Sequence, residues 1–228
     1  MSEDHSSEGG AIAIVPVKAL ADAKSRLAVV LSPDARRRLV VQMLGDVLAA
    51  LAATPAVTRT LVVTPDAEVA AIARAKGAEI IHEDTPISLN GALRTALHAS
   101  GCHADARCLL LPADVPLVTP DEIAVLLKGE LESLHRVVIA PSHDGGGTNA
   151  LVLADHDVMG PSFGPDSFKR HLQLAEALHL SPRAVRLPGL GFDIDTPEDL
   201  RRLSQVERYR WLEAERASQS GSRARQTV

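Results

Sequence analysis

Short apolar runs alternate with longer segments in which apolar residues recur every three or four positions through much of the chain. The short runs predict seven β-strands. These cover residues 11–17, 58–64, 79–82, 107–111, 137–140, 149–153 and 184–187. Strands that alternate with helices are typical of an α/β fold, so we expect one mainly parallel sheet with helices on both faces.

The clearest helical pattern covers residues 35–53. Its apolar positions, which share one helix face, are Leu39, Val40, Met43, Leu44, Val47, Leu48 and Leu51. Four segments also show a hydroxyl residue, a proline and an acidic residue in succession, at 32–34, 64–66, 119–121 and 196–198. This order is favoured at helix starts, because the hydroxyl caps the helix and the acid faces the positive end of its dipole.

Length and composition predict one folded domain. The chain has 228 residues, 46% of them hydrophobic, which is enough to bury one sizeable core. We expect this domain to span residues 11–212. The polar residues 1–10 and the tail at 213–228 are predicted to be disordered.

Charge and apolar content argue against two classes of partner. A net charge of -5 and an aromatic content of 2% leave no basic face and few stacking rings, so a nucleic-acid polymer is not expected. No segment approaches the roughly 20 apolar residues that cross a bilayer. Because the N-terminal residues also lack the basic start of a signal peptide, we expect a cytoplasmic protein without a membrane partner.

The two cysteines show no spacing typical of a metal site or a disulfide framework. Cys102 and Cys108 are six positions apart and form no CxxC pair. Cys108 lies in an apolar run and is expected to pack there.

The first predicted strand leads into a loop that carries Lys18, Lys24, Ser25 and Arg26. Ligands of open α/β sheets bind beyond the carboxyl ends of the strands, where cations stabilise phosphoryl groups. Neither of the glycine-rich phosphate-binding motifs follows this strand, which argues against a dinucleotide-binding domain and a P-loop enzyme. The loop therefore indicates either a nucleotidyltransferase site that uses side-chain cations or an ordinary solvated loop.

Three aspartates are candidate metal ligands. Asp114 follows an apolar strand, and Asp193 and Asp195 share one face of an extended segment. Together they suit Mg²⁺, which prefers oxygen ligands and would neutralise a pyrophosphate leaving group. The structural alternatives are a turn aspartate at 114 and a helix cap at 195.

Three segments are candidates for binding an anion or a base. The glycine-rich residues 143–149 are predicted to turn backbone N–H groups toward an anion, unless they form a plain turn. Gly164 and Ser167 precede a helix whose N-terminus attracts a phosphate or carboxylate. His171 is left open, and Asn90 either reads a purine edge or belongs to an ordinary capped helix start.

Four motifs together resemble the CofC/FbiD guanylyltransferases over about residues 11–203. They are VPVK at 15–18 with AKSRL at 23–27, LPAD at 111–114 with PL at 116–117, GTNAL at 147–151 with FG at 163–164 and SF at 167–168, and DIDTP at 193–197. The combined GTNA and FGxxSF signature is specific, whereas the other motifs recur among related nucleotidyltransferases.

The resemblance implies a single Rossmann-like domain of the nucleotide-diphospho-sugar transferase type, with GTP as donor. It implies Mg²⁺ on Asp114, Asp193 and Asp195, and an acceptor on Thr148, Gly164 and Ser167. GTP would be bound by Lys18, Lys24, Ser25, Arg26 and Asn90. Of the residues at this site, Lys18, Lys24 and Asp114 would be catalytic.

The implied acceptor is a small phosphorylated carboxylic acid: 2-phospho-L-lactate, phosphoenolpyruvate or 3-phospho-D-glycerate. Its guanylylated product would pass to a downstream transferase in the biosynthesis of a deazaflavin redox coenzyme. A phosphate monoester is largely a dianion at neutral pH, so it needs no general base to attack the α-phosphorus. Two alternatives remain: a related transferase that acts on a sugar phosphate or a pterin cofactor, and a non-catalytic nucleotide-binding module.

Overall fold

A seven-stranded sheet forms the centre of the molecule in this computed structural model, which describes residues 10–82, 88–102, 106–128 and 136–226. The strands are β1 (Ala11–Pro16), β2 (Val57–Thr64), β3 (Glu79–His82), β4 (Arg107–Leu110), β5 (Val137–Pro141), β6 (Thr148–Leu153) and β7 (Pro182–Ala184). Their order across the sheet is β3-β2-β1-β4-β6-β5-β7. Each predicted strand is present, and only β7 is displaced by more than one residue at its start.

The sheet is parallel except for β6, which runs antiparallel to its neighbours β4 and β5. The prediction of a mainly parallel sheet is therefore confirmed. The reversal has a direct consequence for the site. It places the first residue of β6 at the edge where β1, β4 and β5 end.

Seven α-helices cover the sheet in the described part of the chain. They are α1 (Pro33–Ala52), α2 (Ala67–Ala75), α3 (Leu89–Ala99), α4 (Pro120–Leu127), α5 (Ser167–Ala177), α6 (Pro197–Leu203) and α7 (Trp211–Gln226). One face of the sheet packs against α1, α2, α4 and α6, and the other packs against α3 and α5. Helices thus lie on both faces, as the alternating pattern predicted.

Hydroxyl residues cap three of the four helices that the sequence indicated. Ser32 accepts a hydrogen bond from Ala35 N, and Thr119 and Thr196 each form a reciprocal capping box. The segment at 64–66 differs, because Asp66 itself caps α2 and Thr64 Oγ1 accepts a hydrogen bond from Asp66 N.

The segment from residue 213 is helical up to Gln226, whereas the sequence predicted a disordered tail there. Leu212 is fully buried, and Trp211 Nε1 donates a 2.8 Å hydrogen bond to Gln42 Oε1 on α1. Ser32 Oγ donates to Glu215 Oε1 at 2.7 Å. The start of α7 is therefore packed against the domain, which favours helix formation in the polar residues that follow. Residues 1–9 of the predicted N-terminal tail lie outside the described part.

Cys102 and Cys108 are joined in a disulfide, contrary to the sequence-based expectation that Cys108 simply packs in its strand. Their Cα atoms are 6.4 Å apart, within the range that a disulfide spans. The bond joins the start of β4 to the segment that follows α3, and a spacing of six positions carried no signal of this pairing. In the part of the chain that the structure describes, no helix is long and apolar enough to cross a membrane.

Candidate active site

The predicted site residues are brought together at one edge of the sheet. Lys18 and Lys24 follow β1, Asp114 follows β4, and Thr148 is the first residue of β6. The segment with Asp193 and Asp195 joins them, because Ile194 N donates a 3.1 Å hydrogen bond to Asp114 O. The strand topology therefore explains how motifs that are far apart in sequence form one site.

Lys24 lies between two of the three aspartates. Its Nζ is 2.6 Å from Asp114 Oδ2 and 2.8 Å from Asp195 Oδ1. The backbone of Lys24 is left-handed, with a φ of 50°, a conformation that costs a non-glycine residue about 1–2 kcal/mol. Strain of this kind is often found at functional sites, and here it accompanies a side chain directed at two carboxylates.

The charges of this cluster stabilise one another. Burial alone would lower the pKa of Lys24, but Asp114 and Asp195 outweigh it, and the net effect raises the pKa of Lys24. Burial would likewise raise the pKa of Asp195, whereas Lys24, Arg26 and Lys18 together lower it. Lys24 is therefore a cation and Asp195 an anion at neutral pH.

Asp193 has a different environment. Burial raises its pKa, and the nearby carboxylates of Asp114 and Asp195 add to the increase. Asn149 Nδ2 opposes it by donating a 3.1 Å hydrogen bond to Asp193 Oδ1, while also donating to Leu190 O at 3.0 Å. Sequence reasoning missed this role of Asn149, although the residue lies in the GTNA motif.

The donor set of the three aspartates suits Mg²⁺, since all offer carboxylate oxygens and their mutual repulsion is relieved by a cation. They are close enough to raise the pKa of Asp193. Their oxygens do not, however, all lie within 4.8 Å of one another, and Lys24 lies between Asp114 and Asp195. The structure thus brings the three predicted ligands near one another, with an ammonium group in contact with two of them.

The remaining residues of the cationic loop are exposed. Arg26 Nη1 is 3.6 Å from Asp195 Oδ2, and Lys18 is near enough to lower the pKa of that aspartate. Ser25 is also exposed and begins a 3₁₀ helix, Ser25–Val29, directly after Lys24. The loop therefore presents two exposed cations and one hydroxyl beside the carboxylate cluster.

The glycine-rich loop does not point free N–H groups at a ligand in the way the sequence predicted. Gly146 N donates to Asp144 Oδ1 at 2.9 Å, and Gly147 N donates to Ser142 Oγ at 2.7 Å. Hydrogen bonds from Ser142 and Gly146 lower the pKa of Asp144. The anion that this backbone turn binds is the side chain of Asp144, so the prediction of an open anion nest was wrong.

Thr148, Gly164 and Ser167 are brought together, as the resemblance implies. Thr148 N donates a 2.9 Å hydrogen bond to Ser167 Oγ, and Ser167 N donates to Gly164 O at 3.1 Å. Gly164 has a φ of 120°, which other residues rarely adopt. Phe168 N also donates to Gly146 O at 3.3 Å, so the loop before β6 and the start of α5 are tied to each other.

His171 is fully buried and connects the same two loops. Its Nε2 is 2.8 Å from Ser162 N, which can only donate. Burial and then Arg170 lower the pKa of His171 to about 4, so the ring is neutral at pH 7. The neutral ring must therefore carry its hydrogen on Nδ1, which is 2.9 Å from Thr148 Oγ1.

The side chain of Asn90 pairs with the backbone of Phe163, in the loop before α5. Its Nδ2 donates to Phe163 O at 3.0 Å, and Phe163 N donates to its Oδ1 at 2.7 Å. Ser88 caps the helix by accepting a hydrogen bond from Gly91 N. These contacts agree with the capped helix start, while the reading of a guanine edge by Asn90 stays a prediction.

The chain matches the family "Guanylyl transferase CofC like" over residues 11–205. It is 40% identical over 193 residues to the phosphoenolpyruvate guanylyltransferase of Sphaerobacter thermophilus, covering 85% of this chain and 92% of that protein. It is 43% identical over 197 residues to the protein of the same name from a Roseiflexus species, covering 85% and 84%.

A solved structure from Desulfovibrio desulfuricans, described as a nucleotide-diphospho-sugar transferase, has the same fold. Its TM-score is 0.70 at 17% identity, and the match covers 92% of this chain and 96% of that one. The predicted fold type is thereby confirmed.

Proposed function

We propose, because the chain belongs to the family of CofC-like guanylyl transferases, that it transfers the guanylyl group of GTP to phosphoenolpyruvate and releases pyrophosphate. The chain is a nucleotidyltransferase, specifically a guanylyltransferase. The choice of phosphoenolpyruvate rests on the names of its relatives. The observation that carries the proposed chemistry is the position of Lys24 between Asp114 and Asp195, beside the exposed cations Lys18 and Arg26.

Bond changes in this reaction are simple. An oxygen of the phosphoenolpyruvate phosphate attacks the α-phosphorus of GTP, and the bond from that phosphorus to the bridging oxygen of the β-phosphate breaks. Pyrophosphate leaves with that electron pair. The attacking phosphate is mostly ionised at neutral pH, so the protein's task is to position the reactants and stabilise negative charge.

The residues divide this task between them. Lys18, Lys24 and Arg26 bind the triphosphate, and Lys24 is positioned by its own ion pairs to face charge that develops during transfer. Asp114, Asp193 and Asp195 would hold Mg²⁺, which supplies positive charge against the leaving pyrophosphate. Thr148, Gly164 and Ser167 hold the acceptor, next to the metal ligands through Asn149 and Asp193.

We also propose that the product serves the biosynthesis of a deazaflavin redox coenzyme, in which a downstream transferase accepts it. The support for this is the combined GTNA and FGxxSF signature. The product is an activated phospho-acid, and an acceptor that displaces GMP from it is the reaction class that must follow.

The proposal is tested by pyrophosphate release from GTP and Mg²⁺ with each of the three phospho-acids, separately and in competition, followed by mass spectrometry. We expect metal-dependent release, and guanylylated phosphoenolpyruvate as the main product. Preference for 2-phospho-L-lactate or 3-phospho-D-glycerate would correct the acceptor. No release with any of the three, or release only with CTP and a sugar phosphate, would overturn the proposal.

A further inference from the structure

Two imidazoles and a carboxylate meet at the edge of the sheet opposite the active site. His98 lies in the last turn of α3, and His156 and Asp157 follow the end of β6. Each residue offers a ligand atom, and these atoms all lie within 4.8 Å of one another. In the described part of the chain, no other group of three His, Cys, Asp or Glu residues meets this spacing.

The position of this group follows from the topology. α3 starts near the active-site edge and runs back to the edge where β4 begins. β6 is antiparallel, so it ends at this edge, where Leu153 pairs with Cys108 at the start of β4. The group is therefore separated from Asp114 and Asp193 by the length of the strands.

The contacts of His156 orient its ring. Its Nδ1 is 2.5 Å from Cys102 O and 2.8 Å from Asp155 Oδ1, and both of these oxygens are acceptors. When the ring is neutral with its hydrogen on Nδ1, the lone pair of Nε2 is directed toward Asp157 Oδ2. An imidazole that binds a metal typically donates its other N–H to a carbonyl or carboxylate in this way.

The spacing of the ligand atoms suits one metal class. Nε2 of His156 is 3.1 Å from Asp157 Oδ2. Two ligands on a tetrahedral zinc ion, at about 2.0–2.1 Å each, lie about 3.3 Å apart. Mixed imidazole and carboxylate donors favour Zn²⁺ over Mg²⁺, which prefers oxygen ligands alone.

We propose that His98, His156 and Asp157 bind a zinc ion. The three protein ligands leave the fourth position of the tetrahedral ion to solvent. Arg94, Asp157 and both histidines line one surface pocket. The bound ion links the end of α3 to the loop after β6 and so stabilises the fold at the edge remote from catalysis.

The test is calorimetric titration of the metal-stripped full chain with Zn²⁺, with Mg²⁺ in large excess to occupy the carboxylate cluster. Co²⁺ in place of Zn²⁺ reports the coordination through its visible absorption. The variants are His98→Ala and His156→Asn, because asparagine keeps a donor for Cys102 O while removing Nε2. His82→Ala, which removes an exposed histidine at the end of β3, is the matched control.

We expect one equivalent of Zn²⁺ to bind to the wild type and to His82→Ala, with a Tm increase of about 5–10 °C at 100 times the Kd. Each of the two ligand variants should lose about 100-fold in affinity and with it most of the Tm increase. Their melting temperatures without zinc report separately whether they fold. Absence of zinc binding in the wild type, or unchanged binding in both folded variants, would overturn the proposal.

Discussion

The buried ring of His171 donates a hydrogen bond from Nδ1 to Thr148 Oγ1, at 2.9 Å, because its Nε2 is already used as the acceptor for Ser162 N. Thr148 is therefore an acceptor toward the protein, and its own hydroxyl hydrogen is left to donate elsewhere. This polarity suits a residue that holds an anionic acceptor. His171 sets the direction of the Thr148 hydroxyl, and under the proposed function it would therefore act as a positioning residue.

Thr148→Val should raise the KM for the phospho-acid by about tenfold or more, because a hydrogen bond to a charged group contributes about 1.5–3 kcal/mol. The KM for GTP should stay within about twofold. Thr148→Ser keeps the hydroxyl and serves as the control. Equal increases in both KM values, measured by pyrophosphate release, would contradict the role assigned to Thr148.

Protonation of His171 should destabilise the protein in mild acid. Burial, followed by Arg170, lowers its pKa from 6.5 to about 4, so between these values the unfolded chain binds the proton more readily than the native one. Its contribution to stability is complete above pH 6.5 and is lost as the pH falls toward 4, by an amount of about 3 kcal/mol.

The measurement is urea unfolding of wild type, His171→Gln and the exposed-site control His82→Gln across that pH range. His171→Gln should start less stable at pH 7 and lose less stability on acidification than either of the others. Parallel pH profiles for all three proteins would show that another group governs acid unfolding.

Lys24→Met should lower kcat by about 10²–10³-fold, because it removes a cation directed at developing negative charge. It should also lower the free energy of unfolding, by about 1–3 kcal/mol, because Lys24 is largely buried and its loss leaves Asp114 and Asp195 without their counter-charge. Single-turnover rates with saturating GTP and Mg²⁺ give the comparison, and Lys76→Met, at an exposed lysine after α2, is the control. A kcat within tenfold of wild type would remove Lys24 from the catalytic step.

The fold was accessible from sequence because most strands contain short apolar runs, as at β1, β5 and β6. The reversal of β6 was not, since a buried strand has the same composition in either direction. The helix α7 was not predicted either. Only the packing of Leu212 and the contact of Trp211 with Gln42 show why a polar segment continues as a helix.

At the site, the sequence identified charged and hydroxyl residues through their motifs, and the structure brings Lys24, Asp114 and Asp195 into contact. The sequence could not show which groups the backbone N–H groups of the glycine-rich loop would hydrogen-bond. The N–H groups of Gly146 and Gly147 were expected to face a ligand, yet the nearby side chains of Asp144 and Ser142 accept their hydrogen bonds. Local competition of this kind depends on the folded geometry of the turn.

The role of Asn149 was overlooked for a related reason, because the GTNA motif marks its position but not the atoms that its side-chain amide contacts. One side-chain nitrogen donates to both Leu190 O and Asp193 Oδ1, and thereby ties β6 to the segment that carries two of the three candidate metal ligands. Asn149→Ala should leave the buried Leu190 carbonyl unpaired and lower the free energy of unfolding by about 1–3 kcal/mol.

Asn149→Ala should also increase the Mg²⁺ concentration needed for half-maximal activity, because Asp193 loses the hydrogen bond that favours its charged form. Ser204→Ala is the control for a general loss of stability. It removes a hydrogen bond from the buried Ser204 hydroxyl to Arg201 O at the end of α6. Magnesium titrations of pyrophosphate release, at a temperature where all three proteins are folded, distinguish the two effects. An unchanged magnesium requirement in Asn149→Ala would limit this residue to a structural role.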